Sequence, residues 1–382
     1  MNMLNELVFL SAIIWLVILA LPWRPWATTE SVDVESTDSR PTADAPGFRP
    51  DQITVVIPAR NEEQVLTQTL QALVDHYPAL KVIVVDDNST DDTAEIVRKF
   101  QRDSVELLDG QPLQTGWSGK LWAQHQAVMT VKTEQVLFLD ADVTIKPGLF
   151  EELVKIKQET GSHLVSLMVA PSLASRWERL LMPAFIYFFK LLYPFQLSNR
   201  PKTPIAAAAG GCILIEKKAL DDIGGLQTIR NALIDDCSLA KAVKSAGYKT
   251  WIGLTNSAWS HRGYPGLSTI WNMVARTAYT QLMYNIGLLA LCTFLLIVMY
   301  ILPFVGLLIL PAFASEWLAS LSAVVLMALT YLPTLRFYRL PVAKIVELPL
   351  IATLYLIMTW HSAIRYFRGE RSRWKDRVYE VN

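Results

Sequence analysis

The chain has 382 residues, 52% of them hydrophobic and 18% charged, and its 35 basic and 35 acidic side chains cancel to a formal net charge of zero. That composition is greasy for a wholly soluble protein, and a balanced charge offers no broad basic surface, which excludes nucleic acid as a partner. Cys212, Cys237 and Cys292 are too few and too scattered for a disulfide framework or a zinc knuckle. They read as small buried hydrophobes in a reducing compartment.

In chain order, residues 4–23, "LNELVFLSAIIWLVILALPW", are apolar over a length that crosses a bilayer. No basic stretch precedes them and no A-x-A-like site closes them, so an uncleaved anchor over 1–26 is expected rather than a signal peptide. Residues 27–51 are polar, rich in Ser, Thr, Asp and Pro, without hydrophobic period, and read as a linker. "ITVVIPARNEE" then predicts a strand stopping at Pro58, followed by a helix with Val65, Leu66, Thr69, Leu70, Leu73 and Val74 on its apolar face. "KVIVVDDNSTDD" repeats the scheme, with Ser89 or Thr90 as N-cap. "SVELLDG" is a further short strand and 119–131 a helix. "VLFLDADVTIKP", 136–147, sets an apolar run against Asp140 and Asp142, as a strand buried on both faces does when it delivers its end to a crevice. Strands alternating with helices imply βαβ units and an α/β fold with a mostly parallel sheet.

Neither G-x-x-x-x-G-K-[ST] nor G-x-G-x-x-G occurs where the nucleotide folds they mark would need it. The strand ends carry acids instead: Glu62, Asp87, Asp140 and Asp142. Each alone reads equally well as a solvated turn. Together they suit the polar edges of a nucleotide and a divalent ion on its diphosphate.

Beyond the sheet, 173–197, "LASRWERLLMPAFIYFFKLLYPFQL", places aromatic and aliphatic residues at helical spacing beside Arg176, Arg179 and Lys190. An interfacial helix is expected, with a core helix of the soluble domain as the alternative. Asp235 and Asp236 open a further helix, where one of them suits a cap. Residues 266–285, with Arg276, read as a second interfacial helix. Apolar segments at 286–311, 317–335 and 346–364 follow within a membrane region at 286–364, and 365–382 is a basic tail. Arg24 after the first segment and "RFYRLPVAK" after the third place the soluble domain in the cytoplasm and the chain in the cell membrane. Three crossings then leave the basic tail outside, so either 346–364, with Glu347 and Pro349, is re-entrant or interfacial, or the charge rule fails here.

The motifs "VVIPARNEE", "VIVVDDNSTDDT", "GWSGKLWAQHQAV", "LFLDADV" and "NALIDDCSLAKAVKSAGY" stand in the order found in family 2 glycosyltransferases, the inverting GT-A group, which the chain resembles over about 52–255. More narrowly it resembles the hopanoid-associated membrane glycosyltransferases, in "SLMV", "AAAAGGCILI", "ALIDDCSLAKAVK" and "MVARTAYTQL". The resemblance implies a GT-A domain over 52–265 and a nucleotide-sugar donor, whose base and ribose would meet Pro58, Ala59, Arg60, Glu62 and Asp87. Arg60 stands where many members have Tyr and is either a stacking guanidinium or a surface Arg. Lys120 would contact the donor, or is a solvated helical Lys; Trp117 is core or a wall of the sugar pocket. Asp140-Ala-Asp142 matches the D-x-D motif, implying Asp142 on Mg2+ or Mn2+ with Asp140 touching nucleotide and metal. The family's acid pair implies Asp236 as catalytic base, with Asp235 and Arg276 toward the acceptor. The Q-x-x-R-W of processive polysaccharide synthases is absent, which favours a single transfer to a lipid acceptor at the membrane. Sugar transfer to polyprenyl phosphate, with Arg200 and Lys202 as candidate phosphate contacts, and a non-catalytic nucleotide-binding scaffold are the competing readings.

Overall fold

A computed structural model of the chain describes residues 3–34, 48–101, 104–374 and 377–380. It divides into a sheet unit, Glu30–Ser172 with Phe195–Gly263, and a helix unit, Met1–Thr29, Leu173–Pro194 and Tyr264–Asn382.

The sheet unit holds strands β1 (Ile53–Ala59), β2 (Lys81–Asp86), β3 (Val105–Asp109), β4 (Gln135–Leu139), β5 (Val143–Ile145), β6 (Leu164–Ala170), β7 (Cys212–Glu216) and β8 (Thr250–Ser260). They form one sheet in the order β3-β2-β1-β4-β7-β6-β8-β5. β1 pairs in parallel with β2 and β4, and β2 with β3. β7 runs antiparallel between β4 and β6, so the sheet is mixed beyond β4. Alternate residues of a strand point to opposite faces, and here both faces are covered. Val55, Ile57, Leu137 and Leu139 join one hydrophobic cluster, with the helices Leu66–His76 and Leu149–Thr160. Val56, Val136 and Phe138 join another, with the helices Gly119–Val128 and Asp235–Ser245. That double burial is why β1 and β4 read as continuous apolar runs.

The reversal at β7 positions the site. Pairing Leu139 with Cys212 brings the residues before β7 alongside the end of β4. Asp140 N donates to Gly211 O at 3.1 Å, and Gly211 is small of necessity, since a Cβ there would meet Val169 Cγ2 at 2.8 Å.

Part of the stretch expected as linker is docked. Ser31 bridges to Leu254 of β8, whose edge the three-residue β5 leaves open there. Asp33 accepts from Asn256 N at 2.6 Å and Thr255 Oγ1 at 3.1 Å. Hydrogen bonds together with Val32 and Val34, which join the hydrophobic cluster under the sheet, fix this segment; 35–47 lie outside the described residues.

In the helix unit, Met3–Ala20, Ile286–Ile309, Ser315–Phe337 and Val342–Phe367 are long and apolar enough to cross a membrane. The last is continuous: Glu347 pairs with Lys344 in the opening turn and Pro349 stands in the first turn of the α-helix, so neither residue breaks it. After it, Glu370–Trp374 and Arg377–Glu380 pair as antiparallel strands within the basic tail.

The helix Arg176–Leu192 also belongs to this unit, separating it from the sheet chain on both sides. It opens with a capping box between Ser175 and Glu178. Leu181, Ala184 and Tyr187 pack with Trp15, Ile270, Met327 and Tyr355, and Tyr355 OH donates to Leu181 O at 2.8 Å. Lys190 is buried and donates to Ala27 O.

Candidate active site

At the ends of β1 and β2 the chain turns through two left-handed asparagines, Asn61 (φ 51°) and Asn88 (φ 53°), a residue type that tolerates this region. Pro58 and Ala59 are buried, and Asp87 N donates to Ala59 O at 2.8 Å. Arg60 Nη1 donates to Asp87 O at 2.5 Å and Asn88 O at 3.0 Å, which ties the guanidinium to the neighbouring turn. Glu62 is buried, its N–H donating to Thr93 Oγ1 at 2.7 Å. Pro58, Ala59, Arg60, Glu62 and Asp87 are therefore gathered at one sheet edge.

The turn after β4 carries Asp140 and Asp142, each already matched by a cation. Lys120 Nζ, in the first turn of its helix, lies 2.6 Å from Asp140 Oδ1. Asp142 Oδ2 accepts from Ser260 Oγ at 2.6 Å and from Arg262 Nε at 3.3 Å. The same guanidinium reaches Glu62 through Nη2. His261 is held on both ring nitrogens, Nδ1 with Thr144 Oγ1 at 3.0 Å and Nε2 with Val65 O at 2.8 Å. The three residues Ser260, His261 and Arg262 thus stitch the β1 turn to the Asp140–Asp142 turn.

Asp235 and Asp236 lie inside the first turn of Asp235–Ser245, whose N-cap is Ile234 without a side-chain cap, so neither acid is the cap expected from sequence. Asp236 Oδ2 accepts from Gly210 N at 2.9 Å and Oδ1 from Cys237 N at 2.7 Å. A Cβ at Gly210 would stand 3.1 Å from Lys120 Nζ and 3.6 Å from Asp236 Oδ2, so the glycine fills the space where ammonium and carboxylate approach. Asp236 also shares a pocket with Lys120, Gln124, Phe138 and Asp235. Trp117 is core: it is buried and stacks on His125 at 4.6 Å. Arg276 belongs to the helix unit.

Burial raises two of the acids. Burial, helped by the Asp235 charge, pushes the Asp236 carboxyl up to about 7, against its two backbone donors and Lys120. Burial also raises Asp140, with Asp142 adding and Lys120 opposing. Burial works against the Lys120 charge, yet Asp140, Asp235 and Asp236 outweigh it and hold the ammonium above its ordinary range.

Among the described residues, no three His, Cys, Asp or Glu side chains converge to cage an ion. Mg2+ needs no such cage when phosphates complete its shell, one or two carboxylates sufficing. Asp140 and Asp142 stand one alanine apart after β4, and the Asp142 charge raises Asp140, as donors to a shared ion would. They fit that role; His261, engaged on both nitrogens, does not.

Arg262, His261, Ser260 and Gly210 were not singled out from sequence. The available signal was a cation two residues beyond an eleven-residue strand.

Residues 54–224 match the model of glycosyl transferase family 2. A 4,4'-diaponeurosporenoate glycosyltransferase of Staphylococcus aureus (strain bovine RF122 / ET3-1) is 34% identical over 115 residues, 30% of this chain and 30% of the relative, so the likeness spans under a third of either. The same protein from strain USA300 aligns with the same identity and coverage. Among solved structures, the mannosyltransferase PcManGT from Pyrobaculum calidifontis, in complex with GDP-Man and Mn2+, superposes with a TM-score of 0.54 at 16% identity, covering 96% of this chain and 99% of that one. The fold is GT-A-like.

Proposed function

We propose that the protein is a membrane-bound inverting glycosyltransferase that moves a sugar from a nucleoside diphosphate to a lipid acceptor. The observation that carries this reading is the division of labour at one sheet edge: a carboxylate pair at the Asp140–Asp142 turn, and a separate buried carboxyl, Asp236, pushed up to about 7. A carboxylate pair beside a separate buried acid poised near neutrality suits a donor site and a base working near neutral pH.

In the transfer, Asp236 accepts the proton of the acceptor hydroxyl as its oxygen attacks the anomeric carbon. The carbon–oxygen bond to the diphosphate breaks on the opposite face, and the sugar inverts. Gly210 N–H and Cys237 N–H orient the base. Asp142, with Asp140, would hold Mg2+ or Mn2+, which supplies Lewis-acid neutralisation of the leaving diphosphate. Lys120 adds a fixed positive charge beside Asp140. Arg60, Glu62 and Asp87 face the base and ribose, and Asp235 serves the acceptor side.

The S. aureus relative is named for 4,4'-diaponeurosporenoate, and the Pyrobaculum enzyme was solved with GDP-Man and Mn2+; both fit this scheme. The narrower sequence resemblance favours a hopanoid-class acceptor. Four apolar helices support residence in the cell membrane, and the basic residues beside them favour a cytoplasmic catalytic unit. Mass spectrometry of lipid extracts from cells with and without the gene tests the proposal. A glycosylated lipid lost with the gene is expected; identical lipid profiles would overturn it.

A further inference from the structure

Arg262 is the unexplained charge of the site. Its side chain is one-third exposed while its two acidic partners are not: Glu62 retains 7% of its side-chain surface and Asp142 14%. The backbone around it is fixed. Arg262 N donates to Ser260 Oγ at 3.3 Å, His261 N donates to Asp142 O at 2.9 Å, and the His261 ring is held at both nitrogens. The guanidinium makes its closer contact with Glu62 through Nη2 and the longer one, Nε to Asp142 Oδ2 at 3.3 Å, with the acid of the D-x-D turn. The Glu62 end can act as a pivot while the Asp142 end lets go.

A divalent ion approaching Asp142 therefore meets a carboxylate already carrying a cation, with Lys120 on the neighbouring Asp140. Like charges crowded into a partly desolvated site repel strongly. A diphosphate changes the balance, because it brings negative charge and planar-fork acceptors for the displaced guanidinium. We propose that Arg262 is a resident counter-ion guarding Asp142, displaced when a divalent ion arrives together with a nucleoside diphosphate and then turning to the phosphates. The proposal rests on the reading of Asp142 as a metal ligand. It makes Arg262 a positioning residue that couples metal and nucleotide binding, and by linkage the coupling is reciprocal.

The test is Mn2+ binding to the full-length protein in detergent, read from the electron paramagnetic resonance signal of the free ion, with and without UDP or GDP. The native protein should bind Mn2+ weakly alone and much more tightly with one of the two nucleotides. Arg262→Gln should bind Mn2+ alone about tenfold more tightly, the scale of one hydrogen-bonded charge contact removed, and the nucleotide should then add less. Because that variant leaves Glu62 buried opposite a neutral side chain, Glu62→Gln/Arg262→Gln, a neutral hydrogen-bonding pair, is measured beside it and should show the same gain. If neither variant binds Mn2+ alone more tightly than the native protein, the guarding role is overturned and the metal assignment stands. If the native protein binds no Mn2+ even with nucleotide, the metal assignment falls, and the guarding role with it.

Discussion

Asp236→Asn removes the proposed base while keeping the side chain's shape. In the native site both carboxylate oxygens accept backbone N–H groups, from Gly210 at 2.9 Å and Cys237 at 2.7 Å. An asparagine satisfies only one, and the other donor faces an amide N–H. Leaving a buried donor unmet costs about 1–3 kcal/mol, which lowers the melting temperature without unfolding a unit whose two hydrophobic clusters are untouched. Turnover should fall by far more, about 10²–10⁴-fold, the range of general-base catalysis. Donor and metal binding should survive, since neither uses this acid. The pH dependence carries the same signature. With Asp236 raised to about 7, the carboxyl is protonated below that pH and cannot accept, so kcat/KM of the native enzyme should rise through about pH 7 and level above it. Single-turnover transfer of radiolabelled sugar to a lipid extract, measured from pH 5 to 9 beside calorimetric donor binding, checks both. Transfer by Asp236→Asn within tenfold of native, with the pH break intact, would refute the assignment. Loss in Asp235→Asn alone would mean that the neighbouring acid is the base.

The charges around the base should move that break in opposite directions: Asp235→Asn lowers it, because Asp235 raises the Asp236 value, and Lys120→Gln lifts it, because Lys120 opposes it, each read from the same pH profile. Asp142→Asn should abolish metal-dependent nucleoside diphosphate binding in calorimetry while the circular dichroism spectrum stays native. Gly210→Ala keeps the N–H that orients Asp236 but puts a methyl 3.1 Å from Lys120 Nζ, so transfer should fall at least tenfold with little loss of melting temperature. A chain lacking residues 1–26 should remain in the membrane fraction after carbonate washing, held by three further apolar helices.

What sequence made legible, it did through continuous burial. β1, β2 and β4 are apolar on both faces and flanked by turn residues, so their ends, and the acids on them, could be located. β7 is equally apolar, but nothing local says that it runs antiparallel between β4 and β6, and that reversal is what brings Gly210 to Asp236. The helix Arg176–Leu192 was legible as a helix, but its membership of the helix unit was not, because the partners of Leu181, Tyr187 and Lys190 lie far away in the chain. Arg262 was invisible because its meaning lies in two partners, Glu62 and Asp142, that are 200 and 120 residues away. The left-handed Asn61 and Asn88 show the converse case, where a residue type suited to a turn sits where the turn is needed.

The central claim is transfer itself, and one measurement reaches it directly. The purified full-length protein is incubated with a panel of labelled nucleoside diphosphate sugars, Mn2+ and a lipid extract, and both the label entering the organic phase and the anomeric configuration of the product are determined by nuclear magnetic resonance. One donor should be consumed, only with the divalent ion present, giving a glycolipid of inverted configuration and one nucleoside diphosphate per sugar moved. No donor consumed anywhere in the panel, or a product that retains the donor's configuration, would contradict the account.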